Sequence, residues 1–260
     1  MGKDVREDRY VIAVPLKGEV AKHYFNKTIS NPAERDVPAF QKYWKFNEKT
    51  GEINGSSTYL TLRLARELGK DSFWIPSVSE ARALDKAGKL KNGVYSDYGI
   101  AVFDDSEPNK KTAKTLIEQA KSMKLVLPLL VPFSSLDYQL DRESDFGIAL
   151  SLSDAKGIIS GEDAVKLLEQ FDYKSNSSVC RLDRGRYGDW VANWDGLDDS
   201  YFNGRAGFVC GEAAHADLAE AHKKLVKRKY AQKSKEFEEQ IKSLREQSER
   251  DEVEFAKQLV

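Results

Sequence analysis

Apolar and polar positions alternate along the chain with two different periods. Arg9 to Leu16 (RYVIAVPL) is β-branched and apolar, which predicts a buried first strand. Gly18 to Ser30 follows with Val20, Tyr24 and Ile29 at loosely helical spacing and stops at Asn31-Pro32. Pro38 to Gly55 is aromatic and polar, with Lys49-Thr50-Gly51 at its centre, a pattern that suits a hairpin or an irregular loop. Ser57 to Leu68 carries Leu60, Leu64 and Leu68 one turn apart before Gly69, which predicts an amphipathic helix with a glycine stop. Ser77-Val78-Ser79-Glu80 reads as a capping box that opens a short helix ending near Gly88.

Further on, Tyr98 to Phe103 and Leu125 to Val131 read as strands around a helix from Asn109 to Lys124, a β-α-β stretch. Phe146 to Leu152 predicts another strand, and Ser160 to Phe171 a helix with Val165, Leu168 and Phe171 inward. From Ser175 to Glu212 the aliphatic content falls and Gly, Asp, Asn, Ser, Tyr and Trp take over. Ala213 to Val260 contains neither Gly nor Pro and carries Phe237, Ile241, Leu244 and Ser248 at 4-3-4 spacing. That pattern predicts a long helix whose seam is interrupted at Lys229, Lys233 and Asp251. The expected organisation is therefore a domain over 1–212 and a helical extension over 213–260.

At 260 residues the chain is long enough to bury a core without disulfide or metal staples. Its 41 basic and 42 acidic residues leave a formal charge of −1, which argues against nucleic acid as the principal ligand. No apolar run approaches the roughly 18 residues of a membrane span. Met1 to Arg9 is charged, unlike a Sec-type signal, so the expected location is cytoplasmic or on a virus particle.

Signals for chemistry are weak. A dinucleotide-binding glycine turn, a P-loop and a G-x-S-x-G elbow are all missing. His23, His215 and His222 lack metal-ligand spacing, and Cys180 and Cys210 are too few thiols for a structural zinc site, so no metal and no cofactor is expected. Those two cysteines read as free buried thiols or as a disulfide pair. Asp195, Asp198 and Asp199, with Glu212 near, form an acidic cluster that suits a surface loop, or a hard-cation or acid/base site in a metal- or cofactor-dependent enzyme.

The most informative text runs from Val179 to Arg205, VCRLDRGRYGDWVANWDGLDDSYFNGR. Tyr, Trp, Asp, Asn, Ser, Gly and Arg are the residues of antibody paratopes, where aromatics give rigid contact area and short polar groups give adaptable hydrogen bonds. The same composition also describes the polar turns of a β-rich domain end whose tryptophans plug the core.

This segment resembles the variable region of the ligand-binding proteins of prokaryotic diversity-generating retroelements, whose domain has a C-type-lectin fold. In that family an error-prone reverse transcriptase rewrites template adenines, and the resulting residues are scattered through an unchanged scaffold. The resemblance implies that Asp183, Gly185, Arg186, Tyr187, Asp189, Asn193, Asp195, Gly196, Asp198, Asp199, Tyr201, Phe202 and Asn203 are variable positions. It implies that Trp190, Trp194, Leu197 and the Gly204-Arg205…Gly207-Phe208-Val209 end are scaffold. Phe73-Trp74-Ile75-Pro76-Ser77-Val78-Ser79-Glu80-Ala81 is similar to the P-[ST]-x-x-E helix entry of this branch of lectin-like folds, formylglycine-generating relatives included. The family's variable region closes the chain in several members, whereas here a helical tail follows Cys210.

Together these readings give an α+β, C-type-lectin-like domain followed by a long helix, with a variable surface over about 179–210. The expected function is non-enzymatic recognition of a protein or surface ligand. Tyr187, Trp190, Trp194, Tyr201 and Phe202 would serve as anchors, with Trp190 and Trp194 reading equally well as core residues instead. The competing readings are an enzyme built on the β-α-β stretch and the 195–199 acidic cluster, and a structural or assembly protein that self-associates through its tail.

Overall fold

The computed structural model describes residues 9–90, 92–104, 110–144, 146–173, 178–193, 197, 200–214, 238–245 and 247–248. It opens with β1 (Arg9–Pro15), α1 (Gly18–Ile29), β2 (Lys45–Asn47), β3 (Glu52–Ser57) and α2 (Thr58–Gly69). β4 (Phe73–Trp74), α3 (Val78–Lys86), β5 (Ser96–Val102), α4 (Lys110–Ser122) and β6 (Leu129–Pro132) follow. Next come β7 (Leu136–Leu140), β8 (Ile148–Leu152), β9 (Ile159–Ser160), α5 (Gly161–Leu168) and β10 (Asp172–Tyr173). The segment of unusual composition supplies β11 (Val179–Arg184), β12 (Trp190–Asn193), β13 (Ser200–Arg205) and β14 (Phe208–Ala214).

The fold is mixed α and β. Among the described residues the largest sheet has the order β10-β12-β11-β5-β6-β9, and three smaller ones are β13-β3-β2, β1-β14-β4 and β7-β8. Local chemistry accounts for the helix starts. The Ser57 hydroxyl accepts the Leu60 N–H at the head of α2, 3.5 Å away. At α3 the Ser77 hydroxyl accepts from Glu80 N–H while the Glu80 carboxylate accepts from Ser77 N–H at 2.7 Å, the reciprocal box read from the sequence. The same carboxylate accepts the Trp74 indole N–H at 3.2 Å, which fixes β4 against the helix entry.

β5 and β11 lie in the middle of the large sheet and are covered on both faces. Ile100, Val102, Leu129, Val131 and Val179 pack into a large core with α1, α2 and α4. Tyr98, Ala101, Leu130, Cys180, Leu182 and Ala192 pack on the opposite side against Val78 and Ala81 of α3 and Ala164 and Leu168 of α5. The register between β5 and β11 shifts at Leu182/Asp183, so Tyr98 and Ile100 face opposite cores although they are two residues apart.

Two expectations change. β5 and β6, the strands around α4, pair antiparallel, so this stretch is not the parallel crossover whose strand ends form a nucleotide crevice. Ala213 and Ala214 are the last residues of β14, so no helix begins at 213. By compactness the chain divides into Ile12–Gly211 and a second unit of Met1–Val11 with Glu212–Val260. In the second unit, residues 238–245 and 247–248 are helical, with Ile241 and Leu244 exposed.

Candidate functional site

The segment from 179 to 210 separates into a held interior and a free exterior. All six residues of β11 are buried, including three that are charged. Arg181, 1% exposed, sets its Nε 3.3 Å from Asp97 Oδ1 and donates from Nη2 to Asp183 Oδ2 at 2.8 Å. Burial holds the Asp97 carboxyl above its usual range, while the Arg181 charge, the Ser57 backbone and the Thr61 hydroxyl pull it down. Arg184 reaches the other face, to Asp85 Oδ1 at 2.9 Å and Asn92 Oδ1 at 2.8 Å. Asp183 is therefore a buried ion-pair partner, which corrects its expected place on a variable surface. Central strands covered on both faces leave no outward position.

Beyond Arg184 the chain turns into solvent. Gly185 N–H donates to Asp189 O at 2.8 Å and Gly188, at φ +88°, donates to Gly185 O at 3.1 Å. Gly93 N–H clasps Arg186 O at 2.6 Å and ties the turn to its neighbour. Gly185 is buried within this turn, whereas Arg186, Tyr187 and Asp189 are exposed, Tyr187 at 75%. The Arg186 guanidinium lies 4.5 Å from the Tyr187 ring centre and hydrogen-bonds its hydroxyl. Trp190 then turns inward. It stacks on Phe171 at 5.7 Å, contacts Tyr98 at 5.4 Å and donates its indole N–H to Asp85 at 3.0 Å.

On β13, Phe202 is 75% exposed, Asn203 is half-buried and Gly204 is buried. Tyr201 and Asn193 are placed by their backbones, opposite Ser56 of β3 and Arg181 of β11 respectively. Leu197 is buried in the large core. Trp194, Asp195, Gly196, Asp198 and Asp199 lie outside the described residues. So do His215 and His222, while His23 is exposed on α1. Among the described residues no group of three or more His, Cys, Asp and Glu side chains could hold a metal.

Tyr95 and Ser96 join the two exposed regions. Ser96 pairs with Arg184 at the base of the β11–β12 turn, and Tyr95 bridges Gly204 while its carbonyl accepts Arg205 N–H at 2.8 Å. A cavity of about 260 Å³ opens here, lined by Ser96 and Tyr98, by Arg184, by 205–208, and by Pro15–Lys17, Glu52, Lys89–Leu90 and Val94. Its walls are largely apolar, but four cationic side chains and one carboxylate, Glu52, border it. Glu52 takes Lys17 at 2.7 Å and Arg205 Nε at 3.6 Å. Sequence reading missed the cavity because its walls come from segments far apart in the chain.

Cys180 and Cys210 are both buried and are not joined in a disulfide. Burial, with Glu80 nearby, pushes the Cys210 thiol up to about 12, so it stays protonated and is a poor nucleophile. The chain matches no known protein family, no curated protein and no solved structure.

Proposed function

We propose that this chain is a non-enzymatic recognition protein of C-type-lectin-like fold, with a binding surface over about 179–210 diversified by a retroelement and directed at a protein or surface ligand. The observation that carries the reading is the placement of Tyr187 and Phe202. They are the most exposed large hydrophobic side chains among the described residues, and both lie in the segment of paratope-like composition. Each stands on hydrogen-bonded backbone, the turn closed by Gly185, Gly188 and Gly93 or the β13–β3 ladder. Rigid aromatics with adjacent Arg186, Asp189 and Asn203 supply contact area at low entropic cost together with directional polar groups.

The neighbouring DNA tests the diversification: a near-repeat of the codons for 179–210, differing almost only at adenines, beside a reverse-transcriptase gene is expected. Its absence removes the retroelement from the reading. The surface itself is tested by Tyr187→Ser with Phe202→Ser. Because exposed substitutions cost under about 0.5 kcal/mol each, the double variant is expected to melt within a few degrees of the parent. A much larger loss would show these rings to be structural.

The tail belongs to the same proposal as a separable extension that self-associates through its apolar seam. Truncation after Ala214, which keeps β14 whole, is expected to preserve the main thermal transition and to lower the particle mass by light scattering beyond the residues removed. Equal oligomeric states in the two proteins would remove self-association.

A further inference from the structure

The cavity beside Tyr95–Ser96 has a chemistry of its own, and we infer that it binds a small amphiphilic monocarboxylate, an apolar body carrying one anionic head. The inference does not rest on the recognition reading, because the exposed rings of Tyr187 and Phe202 are not among the residues that line the cavity.

The apolar part of the argument is the wall. Leu16, Leu90, Val94, Tyr98 and Phe208 face the same space, and most of the exposed lining is carbon. An occupant must therefore place hydrocarbon or an aromatic ring there to exchange water for matching surface. Its size is bounded by the volume. At about 260 Å³ the space lies just under the range of about 300–1,000 Å³ typical of drug-sized ligands, which suits a molecule of about ten non-hydrogen atoms.

The charged part fixes the head group. Arg205 commits Nη1 to the Gly204 carbonyl at 2.6 Å, but its Nε is buried without a hydrogen bond, the nearest Glu52 oxygen being 3.6 Å away. The Arg205 side chain borders the cavity with Lys17, Lys89 and Arg184 against the single carboxylate of Glu52, and an anion there adds countercharge on the cationic side. Of these cations, Lys89 is exposed. Glu52 sets the limit from the other side, since its carboxylate borders the same space and would repel a dianionic head. A single negative charge satisfies both conditions.

The test uses the full chain with octanoate as the probe, followed by calorimetric titration and thermal melting, against octanol, octyltrimethylammonium and octyl phosphate. Octanoate is expected to saturate at one per chain and to raise the melting temperature, with octanol at least tenfold weaker and octyltrimethylammonium weaker still. Leu90→Trp, which fills the cavity, is expected to abolish octanoate binding, and Arg205→Gln to weaken it tenfold or more while leaving octanol unchanged. Should Arg205→Gln unfold because Glu52 loses a partner, Lys89→Gln at the exposed side is expected to weaken octanoate severalfold. Absence of saturable binding, or retention of it in Leu90→Trp, overturns the cavity as the site. Equal binding of octanol overturns the anionic head, and tighter binding of octyl phosphate overturns the monocarboxylate. Melting of the Tyr187/Phe202 double variant is independent of every one of these outcomes.

Discussion

Arg181→Met is expected to destabilise the protein by about 3–5 kcal/mol, the usual consequence of removing one partner from a buried charge cluster. Methionine nearly matches the aliphatic stem, so the loss measures charge and not volume. What remains is Asp97 and Asp183, 5% and 4% exposed, with their common cation gone. Urea denaturation reads the effect, and a loss under about 1 kcal/mol would mean that the cluster is solvated and the cation dispensable. Adding Asp97→Asn should restore part of the loss, because it removes one of the stranded charges.

The same residues give a pH dependence whose sign follows from Asp97. Burial raises its carboxyl above the value in the unfolded chain, against the pull of Arg181. Above the unfolded value the native state therefore holds a proton that the unfolded state has released. Its contribution to stability is complete below that value and is lost as pH rises through the native one. Without Arg181 the native value moves higher still, so the loss extends over a wider range. The variant is thus expected to fall further behind the parent as pH rises above the unfolded carboxylate range, which urea denaturation over a pH series reads.

How much of this was legible in the sequence depends on the range of the forces involved. The starts of α2 and α3 were readable because Ser57, Ser77 and Glu80 act within one turn of themselves. The hairpin around Lys49-Thr50-Gly51 was readable as one of two options, and β2 and β3 settle it by pairing antiparallel. β7 was missed, although Leu136-Asp137-Tyr138-Gln139-Leu140 alternates, and its partner β8 was found from its apolar content alone. The antiparallel pairing of β5 with β6 lies beyond local pattern, since a helix between two strands fixes their order and not their direction. β11 misled for a related reason. Arg181 and Asp183 carry the polarity of a surface, and only the cover on both faces, supplied by distant α2 and α3, shows that their charges satisfy one another inside. The exposed part, Arg186, Tyr187, Asp189 and Phe202, was named from composition and from the resemblance, while the cavity that adjoins it had no local signature.

Gly204→Ala is expected to cost about 3 kcal/mol, at the top of the range for overpacking a closed site, although it adds a single methyl group to the segment read as variable. A Cβ at this position would fall on the backbone nitrogen and the Cβ of Ser56. Neither chain has room to retreat. Ser56 immediately precedes the cap of α2, and Gly204 is bridged on its other side to Tyr95, whose carbonyl also holds Arg205. The register of β13 on β3 slips between Tyr201 and Arg205, and the slip brings the two backbones together at Gly204. Two positions away Phe202 stands in solvent, and Phe202→Ser alone is expected to stay within about 0.5 kcal/mol of the parent. Chemical denaturation of the two single variants measures the contrast directly. If Gly204→Ala is as mild as Phe202→Ser, β13 is a loose edge whose side chains have no fixed presentation. If the contrast holds, the strand is anchored at its glycine, and a side chain two residues away can be exchanged without moving the support beneath it.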